Sequence, residues 1–272
     1  MPGRLGRLLL ATLFVVFVLF LYGPTLTIVV LSFQGPDGGL TFPMNGVSLH
    51  WFGRLFEQQA VGDFGASITR SLALAAMVTA ATVVVSLAAG MAFRRRFPGS
   101  SWLFYLTIAS LILPSLLVGL GIGLTFNRAE IDTNWWSSAF GAQLTWTLPF
   151  GLLIMLAVFN RFDAAWEEAA RDLGATPWQS FWHVVLPIVA PSVIGIALFG
   201  FTLSFDEFAR TLLTAGVDNT LPLEILGMTT TVTTPVLYAL GTASTALSFA
   251  VIGVALIALW RARARRIAAA AR

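Results

Sequence analysis

The chain has 272 residues, of which 57% are hydrophobic and only 11% are charged, and its formal net charge is +3. An ordinary soluble domain carries about 25% charged residues, so the composition excludes that class and makes the lipid bilayer the main solvent. The chain contains no cysteine, which excludes a disulfide framework and a thiolate metal site. We therefore expect an all-α polytopic membrane protein.

Six windows of the sequence are long enough to cross a bilayer, which requires about 20 apolar residues in a helix. None of the six contains Asp, Glu, Lys, Arg or His. They predict transmembrane helices over about 8–31, 71–93, 102–126, 137–159, 184–205 and 236–260. We expect these six helices to form a single transmembrane domain over residues 1–272.

The distribution of arginine predicts the orientation of these helices, since cytoplasmic segments carry the excess of basic residues. All sixteen basic residues are arginine, and a cytoplasmic N-terminus leaves only four of them outside: Arg54, Arg70, Arg128 and Arg210. Both termini are therefore predicted to be cytoplasmic. The arginine-rich C-terminal tail directly follows a span, which is typical of a lipid-facing segment. We expect membrane lipid, and no nucleic acid, as its partner.

Proline occurs in four of the predicted spans, at Pro24, Pro114, Pro149, Pro187 and Pro191. Proline kinks a helix and frees carbonyl groups that only protein or a wet cavity can satisfy. Such kinks indicate a transport pathway, although proline is also commoner in membrane helices than in soluble ones.

The polar loop 161–183 predicts two capped helices. Asp163 is placed to cap the first helix, and Gly174 to end it in a left-handed conformation. Thr176, Pro177 and Gln179 then form a capping-box pattern that starts a second helix. The first helix carries one apolar stripe: Phe162, Trp166, Ala169 and Leu173. Such a stripe either covers the chain's own spans or binds a groove on another protein.

The same loop and the start of the span that follows it carry a spaced motif. Glu168, Ala169 and Ala170 are followed by Gly174 after three residues, by Val184 after nine more, and then by Leu186 and Pro187. This pattern resembles the EAA loop of permease subunits in binding-protein-dependent ABC importers, with Val184 in place of the commoner isoleucine. The resemblance implies a coupling helix that docks on a separate ATPase subunit, with Glu168 as the docking carboxylate and Gly174 as the turn. We call residues 161–183 the EAA loop.

The energy source is expected on another chain. A phosphate-binding P-loop requires a lysine, and this chain has none. We therefore expect no enzymatic activity, no catalytic or metal-binding residues and no cofactor here, with ATP and Mg²⁺ held by partner subunits. The resemblance implies a second permease subunit as a heterodimer partner, two ATPase subunits, an extracytoplasmic substrate-binding protein, and a place in the bacterial cytoplasmic (inner) membrane.

The segments 199–208 and 220–223, reading FGFTLSFDEF and TLPL, resemble the second permease subunit of the spermidine/putrescine branch. Asp206 and Glu207 are adjacent carboxylates near the outer end of a predicted helix, where they compensate a polyamine for lost hydration. Three phenylalanines offer cation–π faces: Phe201, Phe205 and Phe208. We interpret these five residues as a candidate substrate pathway, although the same residues also fit an interfacial boundary and simple side-chain packing.

Alternatives concern mainly the substrate. Arg210 lies close to both carboxylates, at a position where the polyamine pattern has an apolar residue. A positive charge there argues against a strictly cationic solute. Other branches of the family carry iron, thiamine, sulfate or molybdate. An ion-coupled secondary transporter is the rival class, but it usually needs ionisable residues within its spans, and the six windows have none. The expected mechanism is alternating access without covalent chemistry on this chain.

Overall fold

The computed structural model describes residues 4–57, 63–95, 97–231 and 234–270. Within these ranges the regular secondary structure is helical, and the only β-pairing is an isolated bridge between Gln34 and Val47. Arg96 and Arg272, which contribute to the predicted orientation, lie outside the described residues. The all-α prediction is confirmed for the part of the chain that the structure describes.

The structure describes eleven α-helices in chain order. They are α1 (Arg4–Leu31), α2 (His50–Arg54), α3 (Phe64–Phe93), α4 (Ser100–Ile112), α5 (Ser115–Arg128), α6 (Ser138–Phe159), α7 (Ala165–Asp172), α8 (Pro177–Ser180), α9 (Leu186–Phe205), α10 (Leu221–Thr231) and α11 (Val236–Ala270). A π-helical turn at Phe181–Val185 joins α8 to α9, and a 3₁₀ turn at Thr211–Leu213 follows α9. The sequence did not predict α10.

Five described segments are long and apolar enough to cross a membrane. They are Arg4–Leu31, Phe64–Phe93, Ser138–Phe159, Pro177–Phe205 and Val236–Val254. These segments agree with the first, second, fourth, fifth and sixth predicted windows. The fifth segment begins before its window because α8, the π-helical turn and α9 form one continuous helical stretch.

The third predicted span, over 102–126, is wrong as a continuous helix. The chain forms α4 and α5 instead, and these two helices meet at an angle of 109°. Leu113 is extended, with ψ 133°, because a residue that precedes proline is disfavoured in the α region. Pro114 also lacks the N–H that would continue the helix. The other prolines of the predicted spans do not break their helices: Pro24, Pro149, Pro187 and Pro191.

The described residues form two compact units, which we consider separately. The first lies within Met1–Gly65 and Glu224–Ala250. In this unit the Tyr238 hydroxyl donates to the Leu40 carbonyl at 2.9 Å. The buried Gln34 amide donates to the Gly39 carbonyl at 3.1 Å and accepts from the Asn45 N–H at 2.8 Å. These bonds fix the loop that follows α1.

The second unit lies within Ala66–Leu223 and Val251–Arg272 and contains both candidate sites. Its centre is α6, which packs against the π-helical turn and α9. The buried side chains of that contact are Met155, Phe159, Val185, Val189 and Ile196. In a second buried cluster, Leu74 and Val78 of α3 pack against Ala139 of α6. The Thr82 and Thr147 hydroxyls share a buried hydrogen bond of 2.7 Å between the same two helices.

Candidate functional site

The EAA loop has the predicted order of helix, glycine turn and helix. The Asp163 carboxylate accepts the N–H of Ala165 at 2.9 Å at the start of α7. Gly174 follows α7 with φ +87°, a left-handed conformation that glycine adopts without a Cβ clash. The Thr176 hydroxyl and the Gln179 side chain form a reciprocal capping box at α8. These local predictions are confirmed. They could be made from the sequence because each depends on residues within one turn of the helix.

The apolar stripe of α7 is only partly covered by its own chain. The Phe162 and Trp166 rings pack edge to face at 5.6 Å, and Phe162 also contacts the Phe159 ring at 6.0 Å. Leu173, at the far end of the stripe, is 89% exposed, and Trp178 of α8 is 69% exposed. An exposed apolar ridge is typical of a surface that binds another protein.

The other motif residues are distributed along the loop and the start of α9. Ala169 is exposed and Ala170 is half-buried on α7, while Leu186 and Pro187 are half-buried as the first two residues of α9. Glu168 is exposed and lines a groove of ≈ 580 Å³. Within the described residues no ion pair involves Glu168, so its carboxylate faces solvent.

An ion pair that the sequence did not predict connects the EAA loop to α3. Arg94, directly after α3, donates to the Glu167 carboxylate at 2.6 and 3.3 Å. The two side chains are only 20% and 14% exposed. The Arg94 guanidinium also lies 5.2 Å from the centre of the Phe159 ring and 4.8 Å from that of Phe162. A partly desolvated two-point pair on aromatic faces is stronger than an ordinary surface salt bridge.

The second candidate site is the segment that follows α9. Asp206 is exposed at the C-terminal cap of α9, and partial burial of its carboxyl raises its pKa. The Glu207 carboxylate accepts the backbone N–H of Arg210 at 2.8 Å. The Phe201 and Phe205 rings stack at 5.7 Å. Phe205 is buried in the protein interior, and Phe208 is half-buried.

Arg210 has the most unusual environment of this segment. It is fully buried, and its Nη2 donates to the carbonyl of Ser110 at 3.1 Å. Its guanidinium lies 4.6 Å from the centre of the Trp146 ring. Burial lowers the pKa of Arg210, and the nearby Glu207 carboxylate acts in the opposite direction. The group stays charged, because arginine is not deprotonated in proteins.

A buried polar network holds the same segment against α6. The Gln143 amide donates to the Thr211 hydroxyl at 3.0 Å and accepts from the Ser204 hydroxyl. The Ser138 hydroxyl donates to the Thr214 carbonyl at 2.7 Å. A count of charged residues within the spans does not reveal this network, because its side chains are uncharged. An uncharged amide in an apolar helix was the available signal, since a buried amide requires partners.

Comparison with known proteins identifies the family. Residues 83–268 match the model of the family described as "Binding-protein-dependent transport system inner membrane component". The chain belongs to this family. The resemblance drawn from the EAA loop is thereby confirmed. The protein is a permease of an ABC importer, an inner membrane component and not an enzyme.

Two curated relatives match more than two thirds of this chain. PotC of Haemophilus influenzae, a spermidine/putrescine transport system permease protein, is 30% identical over 243 residues, which cover 89% of this chain and 92% of PotC. PotI of Escherichia coli K12, a putrescine transport system permease protein, is also 30% identical. Its match extends over 195 residues, which cover 69% of this chain and 68% of PotI. Both relatives fit the sequence resemblance to the spermidine/putrescine branch.

The fold is shared with a solved transporter. A crystal structure of a bacterial ABC transporter involved in the import of the acidic polysaccharide alginate gives a TM-score of 0.69 at 15% identity. The match covers 96% of this chain and 98% of the alginate transporter chain. At this identity the likeness concerns the fold alone.

Proposed function

We propose that the permease imports a polyamine such as spermidine or putrescine, delivered by a substrate-binding protein. The relatives at 30% identity support this substrate class, and so do the adjacent carboxylates of Asp206 and Glu207. A carboxylate near the end of a span favours a cation that has lost part of its hydration. In this proposal Phe201, Phe205 and Phe208 line the pathway together with the two acids.

The proposed source of energy is a pair of separate ATPase subunits, which hold ATP and Mg²⁺. The EAA loop is the proposed docking element, since it has an exposed apolar ridge at Leu173 and an exposed carboxylate at Glu168. Both features are suited to a cleft with apolar walls and basic residues. Closure of the ATPase subunits moves the EAA loop, and the helices attached to it alternate between outward and inward access.

The proposed assembly contains a second permease subunit beside this one in the bacterial inner membrane. Six crossings with both termini in the cytoplasm place the EAA loop on the ATPase side, with α4 and α5 together counting as one crossing. In this topology residues 1–272 act as a single permease domain.

Reconstitution tests the substrate class. The permease is assembled with its partner permease, ATPase and binding protein in vesicles, and ATP hydrolysis is measured with a panel of solutes. We expect spermidine or putrescine to stimulate hydrolysis and to accumulate in the vesicles. Stimulation only by iron, thiamine, sulfate or molybdate would redirect the proposal to another branch, and accumulation without ATP would favour a secondary transporter.

Charge reversal tests the docking role of the EAA loop. Glu168→Lys should reduce co-purification of the ATPase without affecting membrane insertion, because it places a cation opposite a basic cleft. Asp172→Lys is the matched control, since it reverses an exposed charge on the same helix at a position whose residue type the motif does not specify. Equal co-purification of the ATPase by both variants would contradict the docking role of Glu168.

A further inference from the structure

Among the described residues, the guanidinium of Arg210 has no anionic partner, although it is buried. It makes no ion pair with any of them, and its contacts are the Trp146 ring and the Ser110 carbonyl. A buried arginine is usually paired with a carboxylate or phosphate, because isolated charge is costly away from water. Here an aromatic face and a carbonyl dipole replace that anion.

The carbonyl that accepts from Arg210 is available because of Pro114. In a continuous helix the carbonyl of Ser110 would accept the N–H of the residue four positions later. That residue is Pro114, which has no N–H. The Ser110 hydroxyl donates to the Thr145 carbonyl at 2.6 Å and so holds the end of α4 against α6. The break between α4 and α5 therefore presents a carbonyl group beside the Trp146 face.

Arginine fits this site poorly. A guanidinium has five N–H groups, yet its Nε and Nη1 are buried without a hydrogen-bond partner among the described residues. α5 also lies very close to the backbone at this position, because a Cβ on Gly119 would approach the Arg210 carbonyl oxygen to 2.7 Å. A primary ammonium is a compact cation with three donors, and it needs fewer acceptors than a guanidinium does.

We propose that the Trp146 face and the Ser110 carbonyl form a binding site for a primary ammonium group of the transported solute. Arg210 occupies this site in the present conformation as a tethered cation and closes it, since the residue is fully buried. The solute must displace the guanidinium, and the nearby Glu207 carboxylate favours either cation. This inference rests on the polyamine function proposed above, and it assigns one site within the pathway.

Competition with a tethered cation reduces the apparent affinity for the solute, because the site is vacant for only part of the time. Replacing Arg210 should therefore improve binding of a polyamine. A solute that carries a carboxylate would behave in the opposite way, since it would bind to the guanidinium directly. The direction of the change thus separates an ammonium site from an anion site.

The first experiment measures uptake by the assembled importer in vesicles. Arg210→Met should lower the KM for spermidine by about tenfold, while Arg210→Lys, which tethers the kind of cation that the site prefers, should leave the KM at or above that of wild type. Trp146→Leu added to Arg210→Met should raise the KM again, by about 2- to 30-fold. Arg128→Met is the control, because Arg128 is an exposed arginine away from the site. An unchanged or higher KM for Arg210→Met, or an equal decrease for Arg128→Met, would overturn the assignment.

The second experiment measures the charge preference of the site by thiol modification and does not depend on transport. The permease has no cysteine, so Ser110→Cys introduces one thiol in this chain of the complex. In the Arg210→Met background a cationic thiosulfonate should modify that thiol faster than an anionic one, and spermidine should slow the reaction. Equal or faster modification by the anionic reagent in the Arg210→Met background would overturn the site. If the thiol reacts preferentially with the cationic reagent but the importer takes up no polyamine, the site is retained and only the proposed function is rejected.

Discussion

The guanidinium of Arg94 and the carboxylate of Glu167 form a two-point contact, with N···O distances of 2.6 and 3.3 Å. Arg94 directly follows α3, whereas Glu167 lies on α7 of the EAA loop. The same guanidinium lies over the rings of Phe159 and Phe162, so it also contacts the end of α6. We infer that a displacement of α7 is transmitted to α3 and α6 through this one side chain.

The Arg94–Glu167 pair is therefore expected to affect coupling more than assembly. Glu167→Gln should leave ATP hydrolysis intact while lowering the number of solute molecules imported per ATP. The charge-swapped double variant Arg94→Glu, Glu167→Arg should recover part of that ratio, and the double-mutant cycle should give a coupling energy of about 1 kcal/mol. Arg95→Gln is the control for loss of an adjacent exposed arginine. An unchanged number of solute molecules imported per ATP in Glu167→Gln would contradict the coupling role of the Arg94–Glu167 pair.

Gly174 is expected to tolerate substitution only by residues that adopt a left-handed conformation. Its φ of +87° costs an ordinary L-residue roughly 1–2 kcal/mol, so Gly174→Ala should shift the angle between α7 and α8. We expect reduced ATPase co-purification for Gly174→Ala and a smaller loss for Gly174→Asn, since Asn is the next most frequent residue at such caps. Equal losses for the two variants would show that the backbone conformation is not the cause.

Asp206 and Glu207 should contribute to polyamine uptake in different ways. Glu207→Gln keeps an oxygen that can accept the Arg210 N–H and removes only the charge, whereas Asp206→Asn removes an exposed charge. Each variant should raise the KM for spermidine without reducing complex assembly. Although the residue as a whole is exposed, partial burial of its carboxyl raises the pKa of Asp206, so this carboxyl becomes neutral at a higher pH than an ordinary Asp. The KM should therefore rise on acidification, and Asp206→Asn should weaken that dependence.

Local sequence signals predicted the EAA loop well, because its caps depend on neighbours in the chain. The Asp163 cap, the Gly174 turn and the capping box at Thr176 each involve residues no more than three positions apart. Arg94, by contrast, contributes to the sequence prediction only as one of the arginines that indicate a cytoplasmic segment. Its partner Glu167 is 73 positions away, and no local pattern indicates such a pairing.

The break in the third span was also beyond local prediction. Several spans contain proline, yet within the described residues only Pro114 coincides with a sharply bent pair of candidate membrane helices. What distinguishes Pro114 from the other prolines is its tertiary environment. Gly119 allows α5 to approach the backbone of Arg210 closely, and Arg210 donates a hydrogen bond to the carbonyl of Ser110, 100 positions earlier. The sequence places Arg210 only beside the two acids of its own segment, and no local pattern predicts its contact with Trp146.

Gln143 should be essential for the stability of the segment after α9. Its amide connects the hydroxyls of Ser204 and Thr211, and all three side chains are buried. Gln143→Leu leaves two buried hydroxyls without this partner, which should cost about 1–3 kcal/mol of unfolding free energy. Thermal unfolding of the detergent-purified complex should detect the loss as a lower Tm.

The side-chain amide of Asn127, which is exposed on α5, provides the matched control for Gln143→Leu. Asn127→Leu removes an amide of the same chemistry from the surface, so it should change the Tm by much less. Gln143→Glu keeps the acceptor for Ser204 but loses the N–H donor to Thr211 and buries a carboxyl group, so its Tm should also fall below that of wild type. A Tm for Gln143→Leu at or above that of Asn127→Leu would mean that packing, and not the hydrogen bonds of Gln143, holds this segment against α6.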